Sequence, residues 1–262
     1  MGDGCHPNLR PKCVYSVSNV DDNPITPDKP ATDEVRLTQQ CIVGILVTGD
    51  TVTSVTKDFV WENGLLRSTH EDAIYYRTGS NLGGDETYVY GNDGNCIEQH
   101  YVSAYQNIDK YYTYKDGRMT SAIEMNGSSI TDRVTITGYT ADGHIQALTV
   151  EHLKTGTVTD YQLTWENGDM TSYTKHTIQP EEETLVVNIE YDNYPNCRIG
   201  MPLAEAVFDP QMIASKASVH NWYILNEEYF YSNGHLVKAT HNTAALNTAT
   251  YYTYSDGTTG TE

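Results

Sequence analysis

The chain has 262 residues and a formal charge of −19, with Asp and Glu scattered along it rather than gathered in a tail, which disfavours nucleic acid as a partner. Its length allows one large β domain or two ordinary ones, and no stretch approaches the roughly 18 to 20 apolar residues of a membrane helix. Twenty-one Tyr against three Phe and three Trp suit pleated surfaces where the ring is covered and the hydroxyl stays wet, and point to thin, half-exposed sheets rather than a thick core.

The first 34 residues carry Pro7, Pro11, Pro24, Pro27 and Pro30, five of the nine prolines, in a polar setting. Proline at this density removes backbone donors and fixes φ, so residues 1–34 read as an extended linker and residues 35–262 as a single repeat domain. The opening MGDGCHPNLRPKC lacks the apolar run of an intact signal peptide. The expectation is an exported chain whose signal has been removed. Five cysteines (Cys5, Cys13, Cys41, Cys96, Cys197) form no CxxC pair, which leaves room for one disulfide but suggests no zinc site.

From residue 38 the chain repeats. WENG occurs at Trp61–Gly64 and Trp165–Gly168, and YYTY-x-DG at Tyr111–Gly117 and Tyr251–Gly257; YGNDG, YTADG and YSNG at Tyr90, Tyr139 and Tyr231 complete seven copies. The first five glycines, 64, 94, 117, 143 and 168, are spaced by 30, 23, 26 and 25 residues, enough for two strands and two turns per unit. A type I′ turn needs positive φ at both central positions, which Asn-Gly supplies at low cost. That geometry sets Trp61 opposite Leu66, Tyr114 opposite Met119, Trp165 opposite Met170 and Tyr231 opposite Leu236. Three-residue loops set Tyr90 opposite Cys96 and Tyr139 opposite Ile145. Turns at the other end are expected at LGGDE (82–86), NGSS (126–129) and KTGT (154–157). The fold class is therefore all-β, an elongated, curved antiparallel sheet of repeated hairpins. The one departure is residues 200–220, where Ala, Leu, Met and Lys after Pro202 predict two short helices covering part of the sheet or one of its edges.

The hairpin resembles the YD or RHS repeat, which also places an aromatic and an Asn/Asp-Gly turn at its tip. The proline-rich leader, which is similar to the spacer behind the lipid-anchored cysteine of a bacterial lipoprotein, together with YDNYPN at 191–196, makes residues 38–262 resemble a family of gut-bacterial envelope lipoproteins built from such hairpins. The resemblance implies a curved sheet outside the cytoplasm, tethered at the cell envelope through an N-terminal lipid. It defines no activity, so no functional residues carry over. No apolar run precedes Cys5 to make a lipobox, so the sequence does not assign the anchor to it.

Hydrolysis of a glycosidic bond needs two carboxylates facing across a cleft. The candidates Glu181, Glu182, Glu183, Glu227 and Glu228 read more simply as a solvated turn and an exposed strand, and adjacent glutamates in a strand point to opposite faces. The nine histidines include no HxH or HExxH, and GNDGN lacks the terminal Glu of a calcium loop. No cofactor and no metal are expected. If Tyr112 and Tyr114 face the packed side, Tyr111 and by analogy Tyr251 face outward, where rings stack on sugars or grip an extended peptide; equally, they are ladder residues shielding a thin sheet. Trp222 and Tyr223, beside the helical insertion, either line a pocket beneath it or anchor it. The expected function is a non-catalytic binding or structural role toward a glycan or a protein or peptide ligand, with a glycan hydrolase as the alternative.

Overall fold

The computed structural model describes residues 13–14, 36–46, 48, 51–198, 200–223, 227–232, 234–243 and 246–260. The proposed linker, with Cys5, lies outside the described residues except for Cys13–Val14.

In chain order the strands are β1 (Cys13–Val14), β2 (Leu37–Leu46), β3 (Thr51–Glu62), β4 (Leu65–Tyr75), β5 (Ser80–Asn81), β6 (Gly84–Tyr90), β7 (Cys96–Ser103), β8 (Asn107–Lys115), β9 (Arg118–Asn126) and β10 (Ser129–Tyr139). They continue with β11 (Ile145–His152), β12 (Thr157–Glu166), β13 (Asp169–Gln179), β14 (Glu183–Asn188) and β15 (Glu190–Pro195). A 3₁₀ turn (Leu203–Ala206) and helix α1 (Pro210–Ala217) follow, then β16 (His220–Tyr223), β17 (Glu227–Ser232), β18 (His235–Asn242) and β19 (Leu246–Tyr254). Asp209 caps α1 by accepting from the Gln211 amide at 2.9 Å, with Pro210 opening the helix.

Strands β2 to β14 pair in chain order as an antiparallel meander, with β4 reaching past the short β5 to β6. The meander extends on its other side because β19 pairs with β2, β18 with β19 and β17 with β18. The result is one large curved sheet that is not closed. β15 and β16 form a separate two-stranded ribbon. The two-residue β1 pairs in parallel with Thr253–Tyr254, contrary to the expectation of no strand in the leader; it sits between Pro11 and Pro24, where backbone donors are intact.

All six expected aromatic–apolar partners stand directly opposite one another. Asn63, Asp116 and Asn167 and the glycines after them have positive φ, as the tight turns demand. The turns at 126–129 and 154–157 form as expected. LGGDE does not: the reversal falls at Tyr75–Gly79, and Gly83 instead lets the chain pass the β4 backbone, where a Cβ would collide with the Glu71 carbonyl.

The two helical turns form where expected, but they fill the concave face rather than trim an edge. Phe208 packs under Lys110 of β8, Gln211 bonds Tyr173 of β13 at 3.3 Å, and Glu205 meets Tyr88 of β6 at 2.6 Å. Strands far apart in the ladder thus touch one short insertion, so the sheet curls around it. Ala204, Ala206, Val207, Ile213 and Ala214 are fully buried, and Tyr88, Tyr112, Tyr161, Tyr173, Tyr252 and Tyr254 are buried around them. The core is therefore thicker than the composition suggested, because the insertion supplies the aliphatic volume that the strands lack.

Candidate functional site

Alternation along β8 buries Tyr112 and leaves Tyr111 39% exposed on the convex face, edge-on to His100 with ring centroids 6.4 Å apart. Tyr251 also faces outward, but it is half-buried in a row between Cys41 and Lys238, whose ammonium lies 5.4 Å from the ring centre. The two tyrosines are six strand steps apart, through β2, β3, β4, β6 and β7, so they do not share a site. Trp222 is half-buried against the core, and its carbonyl accepts the Tyr229 hydroxyl at 3.0 Å, the anchor alternative rather than the pocket. Tyr223 pairs through its backbone with Glu190, and its side chain lies outside the description.

The glutamates singled out from sequence do not converge. Glu227 accepts from the Tyr229 hydroxyl at 2.7 Å, Glu228 is exposed, and Glu182 pairs with His176 at 3.1 Å. Two other carboxylates do meet. Glu86 on β6 and Glu205 on the insertion share two donors: the Tyr88 hydroxyl, at 3.1 and 2.6 Å, and the Gln99 amide, at 2.9 and 3.2 Å. Lys57 and Thr69 each bond Glu86 at 2.9 Å, Tyr112 donates to Gln99 at 2.8 Å, and buried Lys216 forms an ion pair with Glu205.

Burial alone would raise the Glu86 pKa, but the charge and hydrogen bond of Lys57, the Thr69 hydroxyl and the charge of Lys216 together hold it at about 2. Burial likewise pushes the Lys216 ammonium well below its ordinary range and the Tyr88 and Tyr112 phenols well above theirs. The insertion covers this cluster, so its evident work is to hold the insertion in the curve. Sequence reasoning missed it because Tyr88 and Glu205 are 117 residues apart; the one local signal was Lys216, the single charged residue of α1.

A second arrangement runs along the hairpin tips. Tyr231 donates to the Asp192 carboxylate, but five tip aromatics donate to the carbonyl of the apolar residue that closes the preceding tip: Tyr90 to Leu66 at 2.7 Å, Tyr114 to Cys96 at 2.9 Å, Tyr139 to Met119 at 2.7 Å, Trp165 to Ile145 at 2.8 Å, and Tyr254 to Leu236. Tyr191 does the same to Met170 at 2.9 Å, which makes YDNYPN an eighth aromatic position whose turn is replaced by the insertion.

Cys41 is disulfide-bonded to a side chain outside those described, whereas Cys96 and Cys197 are buried thiols. Among the described residues, Thr38, Asp58 and Ser255 line one shallow, open depression and His70, Asp72 and Asp85 line another. Among the described residues no group of three or more His, Cys, Asp or Glu is placed to hold a metal ion, and no helix is long and apolar enough to cross a membrane. No protein-family model matches the chain, and no curated protein matches it in sequence.

Proposed function

We propose that this chain is an extracytoplasmic binding or structural protein of a bacterial envelope, tethered through its leader and without a catalytic centre, which meets an extended glycan or peptide on its outer surface. The observation that carries the reading is the filling of the concave face by the chain's own insertion, which leaves recognition to the convex face and the sheet edges. The Cys41 disulfide supports an oxidising compartment, and the charge of −19 argues against phosphate backbones. The envelope tether is part of the proposal and rests on the resemblance of the hairpin motif to YD/RHS-like repeats and of the proline-rich leader to a lipoprotein spacer.

The test is a glycan array probed with the full chain and with Tyr111→Ala, alongside an extended-peptide library. Binding to either that survives washing supports the reading, and loss of glycan binding in a still-folded Tyr111→Ala variant locates it on the convex face. Absence of binding to both classes sinks the ligand and leaves a structural role.

The Glu86–Glu205 pair favours a second reading, a glycan hydrolase in which these two carboxylates act together. Release of reducing ends by the wild type and its loss in Glu86→Gln would establish that alternative.

A further inference from the structure

Apart from the two-residue β5, every strand from β2 to β13 has a neighbour on both sides; β14 pairs only with β13, and β17 only with β18, among the described residues. These two edges flank the segment that enters and leaves the insertion. At the ribbon end the gap is bridged, since Tyr194 stacks on Tyr231 with centroids 3.8 Å apart and Tyr229 bonds the Trp222 carbonyl. Further along, nothing described covers β14. Leu185 and Val186, which point to opposite faces, are 51% and 60% exposed, and Phe230 on β17 is 44% exposed.

An open edge is ordinarily blunted by lysine, proline or a bulge. β14 has none of these: it runs Glu-Thr-Leu-Val-Val-Asn, and its register with β13 is unbroken over six pairs. The surrounding charge is predominantly negative. Glu181, Glu182, Glu183, Glu190, Asp192, Glu227 and Glu228 outnumber the two cations at the seam, Lys175 opposite Leu185 and Lys238 opposite Phe230, while Arg198 and Lys216 bond Ser215 and Glu205 within the insertion.

We propose that the seam between β14 and β17 docks an extended peptide carrying Lys and Arg, which adds to the β14 edge as a further strand. Main-chain hydrogen bonds to the edge supply the affinity. Alternate apolar side chains lie beside Leu185 on one face and Val186 on the other, and the cations meet the glutamates at either end. Aliphatic side chains and free backbone groups suit a peptide better than a sugar. A second copy of this chain is disfavoured as occupant, because antiparallel edge-to-edge pairing centred on Leu185 and Val186 would bring Glu181 of each copy toward Glu190 of the other. This inference rests on the reading of the chain as a binding protein and narrows it to one site and one ligand class.

The test is fluorescence anisotropy of the full chain with a labelled peptide of about ten alternating Lys and Val residues, a strand's length with overhang. A Glu-for-Lys version and a version N-methylated on alternate residues serve as comparisons. The Lys–Val peptide binds and weakens with added salt, and the Glu version does not bind. N-methylation and the variant Val186→Lys each weaken binding at least about tenfold, while Tyr105→Ala, in an exposed turn, leaves it unchanged. The proposal is overturned if the Lys–Val peptide does not bind, if N-methylation or Val186→Lys has no effect, or if the chain forms dimers that Val186→Lys abolishes. Failure here with glycan capture retained removes the seam and leaves the broader reading standing.

Discussion

The Tyr90 hydroxyl reaches out of its own hairpin to the carbonyl of Leu66 in the one before, at 2.7 Å. Leu66 is itself the cross-strand partner of Trp61, so each tip is tied to its neighbour through a residue already fixed by its own turn. Removing the donor alone leaves the carbonyl of a buried residue, Leu66 or Met119, without that partner. Tyr90→Phe and Tyr139→Phe are each expected to cost about 1–2 kcal/mol, read as a lower urea midpoint with an unchanged slope. Tyr111→Phe, on the convex face, should move the midpoint by less than about 0.5 kcal/mol equivalent.

Gly168 and Gly143 separate backbone strain from crowding. Both have positive φ, 86° and 93°, but an added Cβ at Gly168 meets Val219 Cγ1 at 3.0 Å, whereas at Gly143 it meets nothing within 4 Å. Gly143→Ala should cost about 1–2 kcal/mol from the left-handed backbone alone. Gly168→Ala should cost more, and an additional Val219→Ala change should recover the difference but not the remainder.

The inner cluster makes the fold acid-sensitive. Glu86 titrates at about 2 in the folded chain against an ordinary 4.5, so the stability it contributes is present above pH 4.5 and is lost as pH falls toward 2. A shift of this size corresponds to about 3 kcal/mol. Glu86→Gln should be less stable than wild type at pH 7, and the gap should close on acidification through that window. A constant difference between the two proteins from pH 7 to pH 3 would exclude Glu86 as the source.

Lys216→Ala should be among the most damaging single changes, about 3–5 kcal/mol, because it leaves Glu205 buried without its ion pair. The double change Lys216→Met with Glu205→Leu should be far milder than Lys216→Ala. A thermal melt of the three proteins decides whether the cluster matters for its charge or for the volume it fills.

Most of the repeat was legible in sequence because turn chemistry and aromatic placement agree: Asn63-Gly64 requires a tight turn, and that turn alone sets Trp61 against Leu66. The turn near residue 80 was misread because two adjacent glycines imitate a reversal, whereas Gly83 serves a close approach to β4 that only the folded neighbour reveals. Tyr191 was missed as a repeat member because the insertion removes its Asn-Gly. The pairing of Glu86 with Glu205 was invisible for a different reason, since curvature rather than local pattern brings β6 to the insertion. For Tyr111 and Tyr251, alternation gave the outward direction correctly, but the six intervening strand steps are a property of topology that two identical motifs cannot report.

The meeting of β19 and β2 sets this chain apart from an ordinary tandem array. Leu37 stands opposite Tyr254 and offers its carbonyl to Trp61 at 2.8 Å, while Arg36 lies over the Trp61 ring much as Arg118 lies over Tyr139. The first long strand thus occupies the slot that a continuation beyond the last hairpin would fill. A solenoid shortened at one end loses its outermost unit and keeps the rest. Here both ends of the described domain lie in the interior of the ladder, so trimming either one cuts β17 and β18 off from the long meander, and β2, made well before β19, must wait for it before its own edge is satisfied.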